Sequence, residues 1–202
     1  TFRYTQSKHE IYLDTLKNAI ISGAEYIDID INTPENIKNE LISFAHSFPT
    51  KLIISYHNYK NTPDTASLLN IIDEAFDLGA DIVKIACMAQ QYTDCIRILS
   101  LNQTNRPIIA LAMGEKGISS RLLAIQLGSP FTFAYHDKAT LTANGQLSYS
   151  EMISTLKILS KNNPSYYGVI GNPILHSLSP SIFEAGFKQN NINGYYLRIL
   201  AI

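Results

Sequence analysis

Five short runs rich in β-branched and aromatic residues recur along the chain: EYIDIDI, KLIISYHN, DIVKIACM, PIIALAM and FTFAYH, beginning at residues 25, 51, 81, 107 and 131. Their spacing is the strongest constraint on the fold. Between them lie segments with apolar residues at three- and four-residue steps, as in TASLLNIIDEAFDLGA, where Leu68, Ile71, Ile72, Ala75 and Leu78 share a face and Gly79 offers a stop. YTDCIRILSL and SSRLLAIQLG repeat the arrangement. Strands alternating with helices at this spacing call for successive βαβ units and a parallel sheet.

A doubly wound sheet and a barrel both satisfy that order, and the strand faces separate them. Side chains alternate along a strand, so Ile27, Ile29 and Ile31 share one face while Asp28 and Asp30 share the other. Likewise Leu52, Ile54 and Tyr56 lie opposite Ile53, Ser55 and His57, and Val83, Ile85 and Cys87 lie opposite Ile82, Lys84 and Ala86. One face is apolar, and the other grows more polar toward the C-terminal end. Sheets covered by helices on both sides have near-continuous apolar strands. A barrel turns one face to its helices and the other to an interior that opens at the C-terminal rim. The expected architecture is therefore an α/β barrel in which Asp28, Asp30, Ser55, His57 and Lys84 converge.

The formal net charge of -1 and the lack of a basic block leave no electrostatic footprint for nucleic acid or an anionic membrane. No apolar run approaches the roughly 20 residues that span a bilayer, and TFRYTQSKHE has no signal-peptide pattern. A small-molecule partner and a cytoplasmic setting are expected, or a plastid if the source is a plant. Cys87 and Cys95 read as reduced, packed thiols, and the scattered histidines give no zinc pattern.

Lys84 lies within an otherwise apolar run, where lysine is seldom found. Burial among apolar side chains favours a neutral amine, the form that attacks carbonyls. Lys84 therefore fits a Schiff-base nucleophile; it also fits a structural lysine paired with Asp28 or Asp30. His57 ends its strand and suits general acid and base work near neutrality, although such a histidine also suits a satisfied rim position. In LAMGEKGISSRLLA, the glycines, serines and Arg121 can present amides and a guanidinium to an anion, a carboxylate rather than a triphosphate because no GK[ST] follows. A helix start with an exposed arginine is the plainer alternative.

Taken in order, SYHNYKNTP, DIVKIACMAQ, MGEKGISSRL and FTFAYHDKATLTANGQ resemble type I 3-dehydroquinate dehydratase, from Thr1 to about residue 155. The resemblance implies a (β/α)8 TIM barrel lacking its first two strands, with about six of eight strands present, and an open edge that favours pairing with another chain, such as a homodimer. It implies that Lys84 condenses with the C3 ketone of 3-dehydroquinate. His57 would remove a C2 proton and help the C1 hydroxyl leave as water, with no cofactor. It also implies substrate contacts from Arg3, Asp30, Arg121, Thr142 and Gln146. Ser7 stands where the family usually carries a glutamate four residues after the TFR arginine.

From Tyr166, YYGVIGNPILHSLSPSIFEAGFKQNNINGYYLRI resembles the opening of shikimate dehydrogenase, which implies that Ser177 and Ser179 hold the shikimate carboxylate. The alternative is that these serines only cap a helix. The catalytic lysine and aspartate and the NADP-binding loop of that family have no counterpart in the chain. The expected organisation is a dehydratase barrel over residues 1–160, a linker over 161–165, and the start of a dehydrogenase substrate domain over 166–202. Two other readings stay open. One is a class I aldolase-like barrel; the other is an incomplete, marginally folded, non-catalytic piece that only binds a ligand or partner.

Overall fold

A computed structural model describes residues 9–136, 146–159, 165–174 and 176–200. Helix α1 (His9–Ile21) leads into β1 (Tyr26–Asp30), followed by α2 (Glu35–Ala45), β2 (Lys51–Asn58), α3 (Thr65–Asp77), β3 (Ile82–Met88), α4 (Tyr92–Ser100), β4 (Ile108–Met113) and α5 (Ser120–Gln126). The four strands form one parallel sheet in sequential order. This is the βα alternation expected from the strand spacing. The helical stops are also where the glycines put them: Gly23 and Gly79, at φ of 85° and 93°, take the left-handed turn that closes α1 and α3. Asp64 caps α3 by accepting a hydrogen bond from the Ser67 amide at 2.9 Å.

The apolar strand face meets the helices. Ile27, Ile29, Leu52, Ile54, Val83, Ile85, Cys87 and Ala110 are buried in one cluster with Ile37 and Leu41 of α2 and Leu68 and Ile72 of α3. Burial at about 25 cal/mol per Å² of apolar surface makes this layer the main source of stability. Cys87 and Cys95 are free and buried, and burial pushes their thiols up to about 12 and about 11, so both are chemically quiet.

One expectation is corrected here. FTFAYH does not form a strand; among the described residues its only pairing is a parallel bridge between Tyr135 and Ser148. The reason lies at the outer edge of β4. Alternate residues of a parallel strand bond to opposite neighbours, and the Pro107 and Met113 carbonyls accept from Val83 and Ala89 on the β3 side. Ala110 and Ala112 therefore point outward, and two side chains already serve them. Asn102 donates to the Ala110 carbonyl at 3.0 Å and accepts from its amide at 2.9 Å, while the Ser120 hydroxyl accepts from the Ala112 amide at 2.9 Å. The 131–136 run instead uses its rings. Phe131 and Phe133 pack on Ile53, Ile82, Ile109 and Leu111, with Phe131 edge-on to Tyr26 at 5.5 Å. The four-stranded sheet thus has a covered inner face, and the TFR motif lies outside the described residues.

After α6 (Tyr149–Leu159), β5 (Ser165–Gly171) and β6 (Gly194–Leu200) pair in parallel across α7 (Ser179–Gln189). This C-terminal unit meets the larger one through Tyr195, Leu122 and Met152. Beside that contact is a cavity of about 270 Å³, bordered by Lys116, Glu151, Glu184 and Arg198 among others. Among the described residues, no helix is long and apolar enough to cross a membrane.

Removing the Asn102 side chain leaves a buried amide and carbonyl of β4 without partners. Asn102→Ala is expected to lower stability by roughly 1–3 kcal/mol. Urea denaturation should show a lower midpoint with an unchanged slope; an unchanged midpoint would mean that the edge does not depend on this side chain.

Candidate active site

The register decides which polar side chains meet. On the inner face, Asp28 pairs with Ile53 and Asp30 with Ser55, while Ser55 is opposite Lys84 and His57 opposite Ala86. His57 and Lys84 therefore sit one step apart along neighbouring strands, and two carboxylates of β1 lie on the other side of β2. Both pairs close. Lys84 Nζ donates to Asp28 Oδ2 at 2.7 Å, and His57 Nδ1 lies 2.9 Å from Asp30 Oδ2.

Lys84 is only 6% exposed. Besides Asp28, its nitrogen sits over the Phe133 ring, 4.7 Å from the centroid, a placement that attracts a cation electrostatically. Burying an ammonium is tolerable only when it is paired in this way. Sequence alternation put Asp28 on the right face, and the parallel register selects it over Asp30. Phe133 was not singled out from the sequence; the signal was the alternation in Phe131-Thr132-Phe133, which points both rings the same way.

Asp30 is fully engaged. Its Oδ1 accepts from the Asn32 amide at 2.9 Å and the Asn32 side-chain amide at 3.1 Å, and its Oδ2 faces His57. Burial works against the charged carboxyl, but the bonds from His57 and Asn32 together outweigh it and hold its pKa below the ordinary 3.8. An ionised carboxylate only accepts, so the proton of the His57 pair resides on Nδ1. Nε2 is left as the acid/base nitrogen. Tyr59 lies parallel to the imidazole, with centroids 6.0 Å apart.

Arg121 opens α5 directly after the β4 loop, and it is 4% exposed. Its Nε has no hydrogen-bond partner, and burial alone pulls its pKa below the usual value. No carboxylate pairs with it among the described residues. The exposed-arginine alternative does not hold, since the residue is buried, and a guanidinium nitrogen buried without a hydrogen-bond partner is costly. The loop is fixed by Ser120, whose hydroxyl bonds to the Gly117 carbonyl at 2.6 Å as well as to β4. Gly117 has no room for a side chain, because a Cβ there would run into the Ala112 carbonyl.

The remaining expected site residues are placed elsewhere or lie outside the described residues. Gln146 is half-buried in the stretch leading to α6. Ser177 and Ser179 belong to the C-terminal unit, where the Ser177 hydroxyl accepts from the Ser179 amide at 3.3 Å at the entrance to α7. Arg3, Ser7 and Thr142 lie outside the described residues. None of Asp28, Asp30, His57 or Lys84 borders the 270 Å³ cavity beside the C-terminal unit.

The lowered Asp30 pKa fixes the sign of an acid effect. A carboxyl whose folded-state pKa lies below 3.8 contributes stability that is complete above that value and is lost as pH falls through the folded-state pKa. Urea denaturation between neutral and acidic pH should show wild type losing this increment on acidification. Asp30→Asn should start less stable and fall less steeply; parallel pH curves would contradict the assignment.

Comparison with known proteins gives the family. The family model for type I 3-dehydroquinase matches residues 2–163. The bifunctional 3-dehydroquinate dehydratase/shikimate dehydrogenase of Arabidopsis thaliana chloroplasts is 34% identical over 190 residues, covering 93% of this chain and 31% of the plant protein. The 3-dehydroquinate dehydratase of Desulfotalea psychrophila is 36% identical, covering 69% of this chain and 64% of the bacterial protein. The chain thus spans less than two thirds of each of these relatives. The type I 3-dehydroquinate dehydratase of Clostridium difficile, solved with covalently modified comenic acid, superposes with a TM-score of 0.68 at 30% identity, covering 77% of this chain and 63% of that one. With the family model matching most of its length, the chain belongs to the type I 3-dehydroquinase family.

Proposed function

We propose that this chain carries the site that dehydrates 3-dehydroquinate to 3-dehydroshikimate through a Schiff base on Lys84. The observation that carries this reading is the placement of Lys84 and His57 on one inner sheet face, each with its own carboxylate. The unpartnered guanidinium of Arg121 supplies a counter-charge for the substrate carboxylate, and Gln146, Thr142 and Arg3 complete the substrate contacts.

The chemistry follows from those groups. The neutral Lys84 amine adds to the C3 carbonyl carbon, and the carbonyl oxygen departs as water, leaving a C=N bond with a positive nitrogen. His57 Nε2 takes the C2 proton, and the C2–H electron pair moves toward nitrogen to give an enamine. Nitrogen is the electron sink that makes a weakly acidic C–H removable. The enamine then expels the C1 hydroxyl, which accepts the proton from His57 and leaves as water while a C1–C2 double bond forms. Hydrolysis of the C=N bond releases the enone and frees Lys84. Asp30 holds the imidazole in the tautomer needed for both transfers.

The C-terminal unit from Tyr166 is read as the start of a shikimate dehydrogenase substrate domain, with Ser177 and Ser179 toward the shikimate carboxylate. The order of β5, α7 and β6 and the fused plant relative support this. NADP-dependent reduction of dehydroshikimate is then an activity of the whole natural protein, which works in the cytoplasm or, in a plant, a plastid. The paired Lys84 also fits the structural-lysine alternative, and the test separates them.

Borohydride added with 3-dehydroquinate should fix one substrate-derived mass on Lys84, and Lys84→Ala should carry none. Arg121→Ala should raise KM at least about tenfold, the loss of one charge-assisted pair. A wild-type protein that gives enone without a trappable adduct would rule out the Schiff base. Carbon–carbon cleavage instead of enone formation would favour an aldolase.

A further inference from the structure

The Lys84 nitrogen has an environment built for positive charge. Asp28 Oδ2 is 2.7 Å away and the face of Phe133 is 4.7 Å away. The other nearby carboxylate, Asp30, is committed to His57 and Asn32. The titratable groups around the pair are Asp28 and Asp30 on β1, His57 on β2 and the buried Tyr12 phenol on α1, which feels the charge of both aspartates. Asp28 is the only carboxylate in contact with Nζ among the described residues.

This arrangement is unhelpful to the first chemical step. A nucleophilic amine must present a free lone pair, and the 2.7 Å contact with Asp28 has to be given up before Nζ can attack. The same contact has the opposite value one step later. An imine nitrogen is much less basic than an amine, and in a site screened from water it sheds its proton unless a negative charge opposes the loss. A neutral imine is a poor electron sink; a protonated one draws the C2 electron pair. The single N–H of an iminium at the Lys84 position can point along the present Nζ–Asp28 line.

We propose that Asp28 is a catalytic residue, the counterion that keeps the Lys84 Schiff base protonated while the C2 proton and C1 hydroxyl depart. The assignment rests on Lys84 being the Schiff-base residue. No proton is consumed: the iminium N–H stays with nitrogen, Asp28 stays ionised, and electrons pass from the C2–H bond to nitrogen and back to expel the hydroxyl. Asp28 therefore slows amine addition and speeds dehydration. A side chain that only packs has no reason to act in opposite senses on two steps.

The test uses the protein as naturally expressed, as wild type, Asp28→Asn and Asp28→Glu. Adduct formation is followed by borohydride trapping with 3-dehydroquinate across pH, and turnover by enone absorbance. In Asp28→Asn the pH midpoint for trapping should move downward, because the amine is easier to deprotonate. Its turnover should fall about a hundredfold, as for loss of one preorganised electrostatic partner. Asp28→Glu should restore much of the turnover. Turnover of Asp28→Asn within about threefold of wild type, or trapping and turnover falling together at every pH, would overturn the proposal. A readout on wild type alone covers the case in which the variants do not fold: the C=N stretch of the unreduced adduct should shift in heavy water at about pH 9, showing a proton still on nitrogen. An unshifted band overturns the counterion role. Absence of any adduct in wild type would instead reject the Schiff-base reading itself.

Discussion

The contact between Lys84 and Asp28 organises the inner face of this sheet. A lysine in the middle of a buried strand is destabilising by itself, because its ammonium leaves water. Here the charge is met across two strands by a carboxylate whose position depends on the parallel register of β1, β2 and β3. Shifting β1 or β3 by one residue would turn Asp28 or Lys84 into the helical layer, and shifting β2 would do the same to His57. Removing Asp28 leaves the buried Lys84 without its carboxylate, a costlier change than removing Lys84, because the Asp28 side chain keeps partial contact with water. Register and site are therefore specified by the same pair.

A second constraint comes from the open side of β4. An edge strand exposes unpaired amides and carbonyls that invite pairing with another chain. Asn102 and Ser120 occupy those groups at Ala110 and Ala112 as a neighbouring strand would. Ser120 also fixes the loop before Arg121, so the residue that closes the edge sets the position of that buried arginine at the start of α5. Edge protection and the placement of Arg121 are linked by one hydroxyl.

The fold was readable from the sequence wherever a physical period was strong. Alternation in EYIDIDI and DIVKIACM assigned Asp28, Asp30 and Lys84 to one face, and the three- and four-residue steps of TASLLNIIDEAFDLGA located α3 between its cap and Gly79. The fifth run misled because FTFAYH has strand composition, while strand formation also needs a free ladder edge. That edge was occupied by Asn102, a loop residue eight positions before the amide it satisfies, and no local pattern marks such a bond. For the site, the placement of Lys84 and His57 on one inner face was legible from strand alternation. Their division between two carboxylates was not, because it depends on register rather than on spacing within one strand.

That division has a chemical logic. On the proposed Schiff-base route, proton transfer at C2 needs an imidazole that alternates between charge states, whereas the electron sink needs a nitrogen that stays positive. One carboxylate shared between Lys84 and His57 would bind whichever was more cationic and couple the two steps. With Asp30 held by Asn32 and His57, and Asp28 left to Lys84, the imidazole can gain and lose its proton while the charge at Nζ is set separately. Two aspartates on alternate positions of a single short strand achieve this separation because β-strand geometry points both toward the interior and spaces them to face different partners.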